Sequence, residues 1–229
     1  ARHQFVCGVI CGVILCAASI IQQYGIIHTT VGKSGFITTM YIILVPFLGL
    51  FVKLRVKLMN WVCAIPALMG LYLLCAGGEG LSGVNYGDWL TLLCAVFFAC
   101  HILFIDRACH DLDGVRLSCV QFFTASAVSI LPMLLLEHPS WAAVQSAWLP
   151  IVYAGVFSGG VGYTLQILGQ QLVPPTLASM ILSLESVFAV LFGWLILHQA
   201  LSARELLGCL VIFIAIVIAQ LPSKETAAA

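Results

Sequence analysis

Glu185 is the side chain best placed to do chemistry in this sequence. It stands near the middle of the apolar run 176–197, within SMILSLESVFAVLFGWLIL. A helix rises about 1.5 Å per residue, so the carboxyl lies about ten residues from Thr176, roughly halfway across a ~30 Å hydrocarbon layer. An ionisable group at that depth costs roughly 2.5–3.5 kcal/mol or more unless it faces protein or water. Two roles fit it. It is a proton-coupling or substrate-recognising group whose ionisation follows its hydration, or it is a neutral acid bonded to a helix neighbour. Ser179, Leu182, Ser186 and Ala189 flank it, a stripe suited to close packing or to a cavity wall.

His101, in ACHILFID, is the second candidate. It pairs with Glu185, relays a proton, or bonds a neighbouring carbonyl. Carboxamides close two of the apolar runs: Gln22 and Gln23 with Tyr24, and Gln166 with Gln170 and Gln171. In lipid such groups need partners, so they line a cavity or bond helix to helix. Gln23 and Gln166 join the candidate set, with Tyr41 and Tyr163 as cavity aromatics. Gly155, Gly159 and Gly160 crowd one run at a spacing that lets helices approach closely.

Other chemistries lack their residues. There is no HExxH, no GxSxG and no phosphate-binding loop, so neither hydrolysis nor ATP-driven transport has its machinery. The ten cysteines mostly lie inside apolar runs and none has zinc-ligand spacing. Cys109, His110, Asp111 and Asp113 read as a polar loop. No cofactor, metal or catalytic residue is expected.

The elements that must position these residues follow from composition. Hydrophobic residues make up 62% of the chain and charged residues 8%, against about 25% charged in soluble domains. The chain is an integral membrane protein, and its formal charge of zero points to no nucleic-acid partner. Apolar runs fall at 5–27, 34–52, 59–77, 86–105, 116–136, 148–170, 176–197 and 205–221, giving about eight transmembrane helices. The alternation of a β-barrel is absent. The first run is too long for a signal peptide.

An even number of spans puts both termini on one side. With that side as the cytoplasm, Arg2, Lys53, Arg55, Lys57, Arg107, Arg116 and Lys224 are inside, and Lys33 and Arg204 are outside. Glu79, Asp88, Glu137 and Glu205 fall in or beside the outer loops. The chain is therefore read as a multi-pass protein of the cytoplasmic membrane.

Residues 38–71 and 178–211 each give a helix, a short polar hinge and another helix, at an offset of 140 that sets Met40 on Met180 and Leu44 on Leu184. The first hinge is basic and inside, the second outside. Similar units of opposite orientation mark inverted-repeat transporters.

Several stretches carry a family likeness: QQYGIIHTTVGKSGFITTMYIILVPFLGLF, GDWLTLLCAVFFACHILFIDR, GYTLQILGQQLVPPTLASMILSLESVFAVLFGWLIL and ARELLGCLVIFIAIVIAQLP. By these, over essentially its whole length, the chain resembles the EamA-type transporters of the drug/metabolite transporter superfamily. The resemblance implies an all-α, ten-helix fold of two inverted five-helix repeats. Residues 1–84 would be three helices of the first repeat, residues 85–221 the five of the second, and residues 222–229 a cytoplasmic tail. Two helices would then precede residue 1, and the start at Ala rather than Met accords with that expectation. Glu185 falls in the family's LEP-like segment, here LES. His198 and Gln199 stand where the family usually has Gly-Glu, which leaves the role of that Glu without its residue.

The function implied is a secondary transporter, expected to be an exporter, of small metabolites such as amino acids. It works by alternating access, with proton coupling through Glu185. Its partners would be membrane lipid, a small-molecule substrate and, in a homodimer, a second copy. A noncatalytic membrane assembly or scaffold subunit is the alternative, and an intramembrane enzyme using Glu185 and His101 a third class.

Overall fold

The computed structural model describes residues 2–29, 31–54, 56–75, 85–137, 140–198 and 202–220. Arg55, Glu79, Gln199, Lys224 and the tail 222–229 lie outside the described residues. Among those described, the chain is helical and contains no strand. The helices are α1 (Arg2–His28), α2 (Val31–Thr38), α3 (Tyr41–Phe51), α4 (Leu58–Cys75), α5 (Tyr86–Ala108), α6 (Gly114–Leu136), α7 (Trp141–Ser146), α8 (Trp148–Val152), a π-helical segment (Tyr153–Tyr163), α9 (Thr164–Gln170), α10 (Pro175–Leu182), α11 (Leu184–Leu197) and α12 (Ala203–Gln220). Among the described residues, five stretches are long and apolar enough to cross a membrane: Arg2–His28, Ser34–Phe51, Tyr86–Ala108, Gly114–Leu135 and Trp148–Gln170. Leu58–Leu73 and Pro175–Phe188 are shorter apolar helices. Large side chains such as Phe123, Leu131, Leu134, Leu149 and Phe157 point outward, as they do in a protein whose solvent is lipid. This is a multi-pass membrane protein.

Helix starts are made by short polar side chains. Before α5, Asn85 and Asp88 form a reciprocal capping box, each side chain accepting from the other's backbone N–H at 2.9 Å. Asp113 accepts from Val115 N and Arg116 N, both at 3.1 Å, and opens α6. The polar loop at 109–113 is thus a helix junction: Asp113 is its cap and Cys109 is buried. Ser202 and Glu205 form a second box before α12, with Ser202 N donating to Glu205 Oε2 at 2.7 Å and Glu205 N to Ser202 Oγ at 3.2 Å. Pro174 precedes α10 and Pro175 is its first residue, where a missing N–H leaves nothing unpaired. Two helices end in the left-handed region with side chains that dislike it, at Lys53 (φ 59°) after α3 and His198 (φ 52°) after α11.

Lipid offers no hydrophobic drive for helix to meet helix, so close packing must come from small residues. α1 runs along both α5 and α6, and α4 runs along α12. Gly8 and Gly12 place the α1 backbone on α6, where a Cβ at Gly12 would fall 2.5 Å from the Gln121 carbonyl oxygen. Gly25 and Gly87 join α1 to α5, and Gly70 meets Gly208 between α4 and α12. The close-packing role expected of Gly155, Gly159 and Gly160 is not what the structure shows. Gly155 has nothing within 4 Å, Gly160 meets only the Gly155 carbonyl, and Gly159 has Phe122 beside it. That segment is π-helical and mostly exposed, and among the described residues no backbone of another helix lies against these three glycines.

The larger core joins α3, α4, α5, α10 and α12 through side chains including Ile42, Val45, Leu71, Ile102, Met180 and Ile212. The smaller gathers Cys7, Cys11, Ile105, Cys109, Leu117 and Ile167, with the cysteines acting as small apolar residues.

Candidate functional site

Three interruptions of helical regularity converge on one place. Between α2 and α3 the turn tightens: Met40 N donates to Ile37 O at 3.1 Å, Ile42 N to Thr39 O at 3.0 Å and Ile43 N to Met40 O at 3.0 Å. Thr39 Oγ1 also donates back to Gly35 O at 2.7 Å. Between α10 and α11, Ser186 N donates to Ser183 O at 3.2 Å, while Ser179 Oγ and Ser183 Oγ donate to the Thr176 and Met180 carbonyls at 2.8 and 2.6 Å. The third interruption is the passage from the π-helical segment to α9, where Thr164 Oγ1 donates to Gly160 O at 2.5 Å. Hydroxyls that bond back onto the preceding turn compete with the helical ladder and bend it. The cause of the first two bends is therefore Ser and Thr chemistry, with neither Gly nor Pro at the turn.

The residues just beyond each bend line a cavity of about 100 Å³. Tyr41 opens α3, Glu185 lies in the first turn of α11, and Tyr163 and Gln166 flank the start of α9. Gln22 and Thr38 add a polar pair from α1 and α2, with Gln22 Nε2 donating to Thr38 Oγ1 at 3.3 Å. Phe98, Ile102 and Leu182 complete the wall. Residues before and after 85 both contribute.

Glu185 is exposed and borders this space. Among the described residues no hydrogen bond and no ion pair reaches its carboxyl. The phenols of Tyr41 and Tyr163 both lie within electrostatic reach of it. Among the described residues, no Lys, Arg or His lines the cavity.

Of the six residues singled out in the sequence as substrate or coupling candidates, Glu185, Tyr41, Tyr163 and Gln166 meet at this cavity, while Gln23 and His101 stand elsewhere. Gln23 is exposed, and its neighbour Gln22 takes the wall position. Helical spacing explains the choice: Cys11, Leu15, Ala18, Gln22 and Gly25 recur at intervals of four and three on the buried face of α1, and Gln23 is turned about 100° away. His101 does not pair with Glu185. It is fully buried, with Nε2 2.8 Å from Gln121 Oε1, and its ring meets the edge of Tyr163 at 6.4 Å between centroids. Its place is behind the cavity wall, tying α5 to α6 and backing Tyr163. Thr38 and Phe98 also line the cavity; only the fold brings them there. Gln171, from the same carboxamide cluster as Gln166, donates instead to the Cys109 and Leu112 carbonyls at 3.1 and 2.8 Å and fastens the α5–α6 junction.

Among the described residues no group of three or more His, Cys, Asp or Glu is placed to hold a metal. What the cavity offers is recognition: one unpaired carboxyl, two phenols and two carboxamides inside an apolar shell.

Comparison with known proteins adds a family and a fold. The model of the EamA-like transporter family matches residues 85–220. A protein of Archaeoglobus fulgidus named "Uncharacterized transporter" is 30% identical over 201 residues, covering 87% of this chain and 64% of its own length. One of Clostridium kluyveri with the same name is 19% identical over 224 residues, 94% of this chain and 72% of that protein. The chain thus spans a little under two thirds of the archaeal relative. A crystal structure superposes with a TM-score of 0.79 at 17% identity, over 99% of this chain and 88% of its own, a likeness of fold.

Proposed function

This chain belongs to the EamA-like transporter family, and from that premise we propose that it is a secondary transporter exporting small metabolites, amino acids among them, by alternating access coupled to protons through Glu185. The observation that carries the reading is the unpaired Glu185 carboxyl on a cavity shared by the segments before and after residue 85. A carboxyl in such a place is stable ionised only while water or a cation reaches it, and stable neutral only when they are excluded. Closing and opening the cavity therefore changes its proton affinity, which is the physical requirement for coupling proton movement to a conformational cycle.

The bends around the cavity supply the moving parts. Two of them are single tightened turns between helical halves and the third is a π-to-α transition, the kind of discontinuous helix that surrounds midplane sites in carriers. We read eight crossings, with residues 1–84 as three helices of the first repeat, residues 85–221 as the five of the second and residues 222–229 as a tail. The bias of Lys and Arg supports cytoplasmic termini in the inner membrane. Arg107 Nη2 donates to Val52 O at 2.6 Å, which draws the basic hinge and the end of α5 to one face, as that orientation requires. A homodimer belongs to the same reading. The protein acts as a carrier and not as an enzyme.

The test is flux in proteoliposomes carrying the purified protein. An outward-directed amino acid gradient should drive efflux that accelerates when the outside is made acidic. Efflux at the rate of protein-free vesicles, with correctly folded protein present, would refute the reading.

A further inference from the structure

The outer surface of the bundle carries a second recess, between α1 and α6 and apart from the Glu185 cavity. We propose that it binds one anionic phospholipid of the cytoplasmic leaflet, with an acyl chain in the recess and the phosphate between Arg2 and Arg116.

The recess has a cause in the packing. Gly8 and Gly12 bring the backbone of α1 onto α6. A Cβ at Gly8 would fall 2.6 Å from Val120 Cγ1, and one at Gly12 2.5 Å from the Gln121 carbonyl oxygen. Helices this close leave a furrow wherever large side chains stand up beside the seam. Phe5 on α1 and Phe123 on α6 do so, at 61% and 77% exposed. With Val120, Thr124, Ala127 and Val128 they line an open groove of about 520 Å³. Thr124 alone among these six has a polar side chain.

The hydrocarbon layer holds no water to fill such a groove. A void forfeits dispersion contacts with its walls, so an acyl chain enters it. From Val120 to Val128 the helix rises about 12 Å. That is most of the ~15 Å hydrocarbon depth of one leaflet.

The head of the groove decides which lipid. Gln4 Nε2 donates to Asp113 O at 2.8 Å, which sets the start of α1 beside the start of α6. Arg2 stands three residues before Phe5, and Arg116 four before Val120, so each lies on its helix about one turn ahead of the lining. Both arginines are exposed.

The acid at this end of α6 is Asp113, and its carboxyl is already used. Oδ1 accepts from Val115 N and Arg116 N, both at 3.1 Å, and Oδ2 lies 3.3 Å from Arg116 Nε. Asp111 and His110 lie in the junction ahead of it. Among the described residues no hydrogen bond or ion pair engages the guanidinium of Arg2, and none engages the Nη groups of Arg116. Guanidinium forks of this kind match the oxygens of a phosphate. A zwitterionic headgroup would bring its own cation beside Arg2, and an anionic one does not. This end of α6 follows directly on the end of α5, where Arg107 holds the basic hinge at Val52. That is the face the Lys and Arg bias assigns to the cytoplasm, whose leaflet carries the anionic lipids.

The experiment is native mass spectrometry of the purified full chain in detergent. The probes are phosphatidylglycerol and phosphatidylcholine with the same palmitoyl and oleoyl chains. One phosphatidylglycerol should be retained per chain, about tenfold tighter than phosphatidylcholine, and added salt should narrow the difference. Arg2→Gln combined with Arg116→Gln should bring the two lipids to equal affinity. Ala127→Trp, at an exposed position, should fill the groove and weaken both. Equal retention of the two lipids by the unaltered chain overturns the proposal, as does a preference that survives both variants. A dimer that Ala127→Trp splits into monomers also overturns it, by giving the groove to a second copy. If the double arginine variant fails to fold, the salt response and Ala127→Trp decide.

Discussion

Asp88 and Glu185 are carboxyls placed in apolar surroundings by the same fold, and they are treated in opposite ways. Asp88, at the start of α5, is 4% exposed, and both its oxygens are used: Oδ1 accepts from Thr29 Oγ1 at 2.7 Å and Oδ2 from Asn85 N at 2.9 Å. Glu185, at the start of α11, borders a cavity with no hydrogen bond or ion pair to its carboxyl among the described residues. Both stand in the first turn of a helix, where the dipole favours an anion. The difference is what surrounds that turn. Around Asp88, Gly25 and Gly87 bring the backbones of α1 and α5 together until every polar atom has a protein partner within reach. Around Glu185 the helix is interrupted at Ser183 and the carboxyl borders a cavity. Where partners are supplied, an acid holds structure; where they are withheld, it is free to bind something that comes and goes.

The comparison is broken most visibly by removing Asp88. Asp88→Ala deletes half the capping box and orphans the Thr29 hydroxyl, and hydrogen bonds to charged groups contribute about 1.5–3 kcal/mol each. The expected loss is about 3 kcal/mol, read as a lowered midpoint of thermal unfolding in detergent. An unchanged midpoint would mean that Asp88 is not the structural acid described.

The next effect concerns the seams that hold the packed side together. Gly12→Ala puts a methyl 2.5 Å from the Gln121 carbonyl oxygen, and such overpacking costs about 1–3 kcal/mol. Gly155→Ala enters open space and should change stability by no more than about 0.5 kcal/mol. Thermal unfolding of the two variants side by side checks the contrast, and a larger loss for Gly155→Ala would reverse it.

A smaller effect, of opposite sign, is expected at the far end of α11. His198 sits at φ 52° where a glycine pays no steric penalty, so His198→Gly should stabilise by about 0.5–1 kcal/mol. A destabilised variant would show that the His198 side chain makes a contact worth more than the strain.

How much of this was legible in the sequence depends on the range of the interaction involved. Apolar runs are local, and the described residues of each fall on helix, although 34–52, 148–170 and 176–197 are interrupted. Depth along a run is local too, which is why Glu185 stood out. The choice of Gln22 over Gln23 was legible in principle from the three-and-four spacing of α1. The pair Gly8 and Gly12, which does pack against a helix, is less conspicuous in the sequence than the denser glycines of 155–162, and spacing alone does not say which face meets a partner. The bends at Thr39 and Ser183 were hidden, since a hydroxyl reads the same whether it bonds back to its own helix or outward. His101 needed Gln121, twenty residues away on another helix, before its role behind the wall was visible.

The most direct test of the central claim, that Glu185 is kept unpaired for coupling and not for stability, is the pH profile of flux by Glu185→Gln in proteoliposomes. The substitution keeps shape and hydrogen-bonding capacity and removes only the titration. The variant should fold with a stability within about 0.5 kcal/mol of the unaltered protein and should transport without any dependence on an imposed pH gradient. A folded variant whose flux still follows the pH gradient as the unaltered protein does would contradict the account.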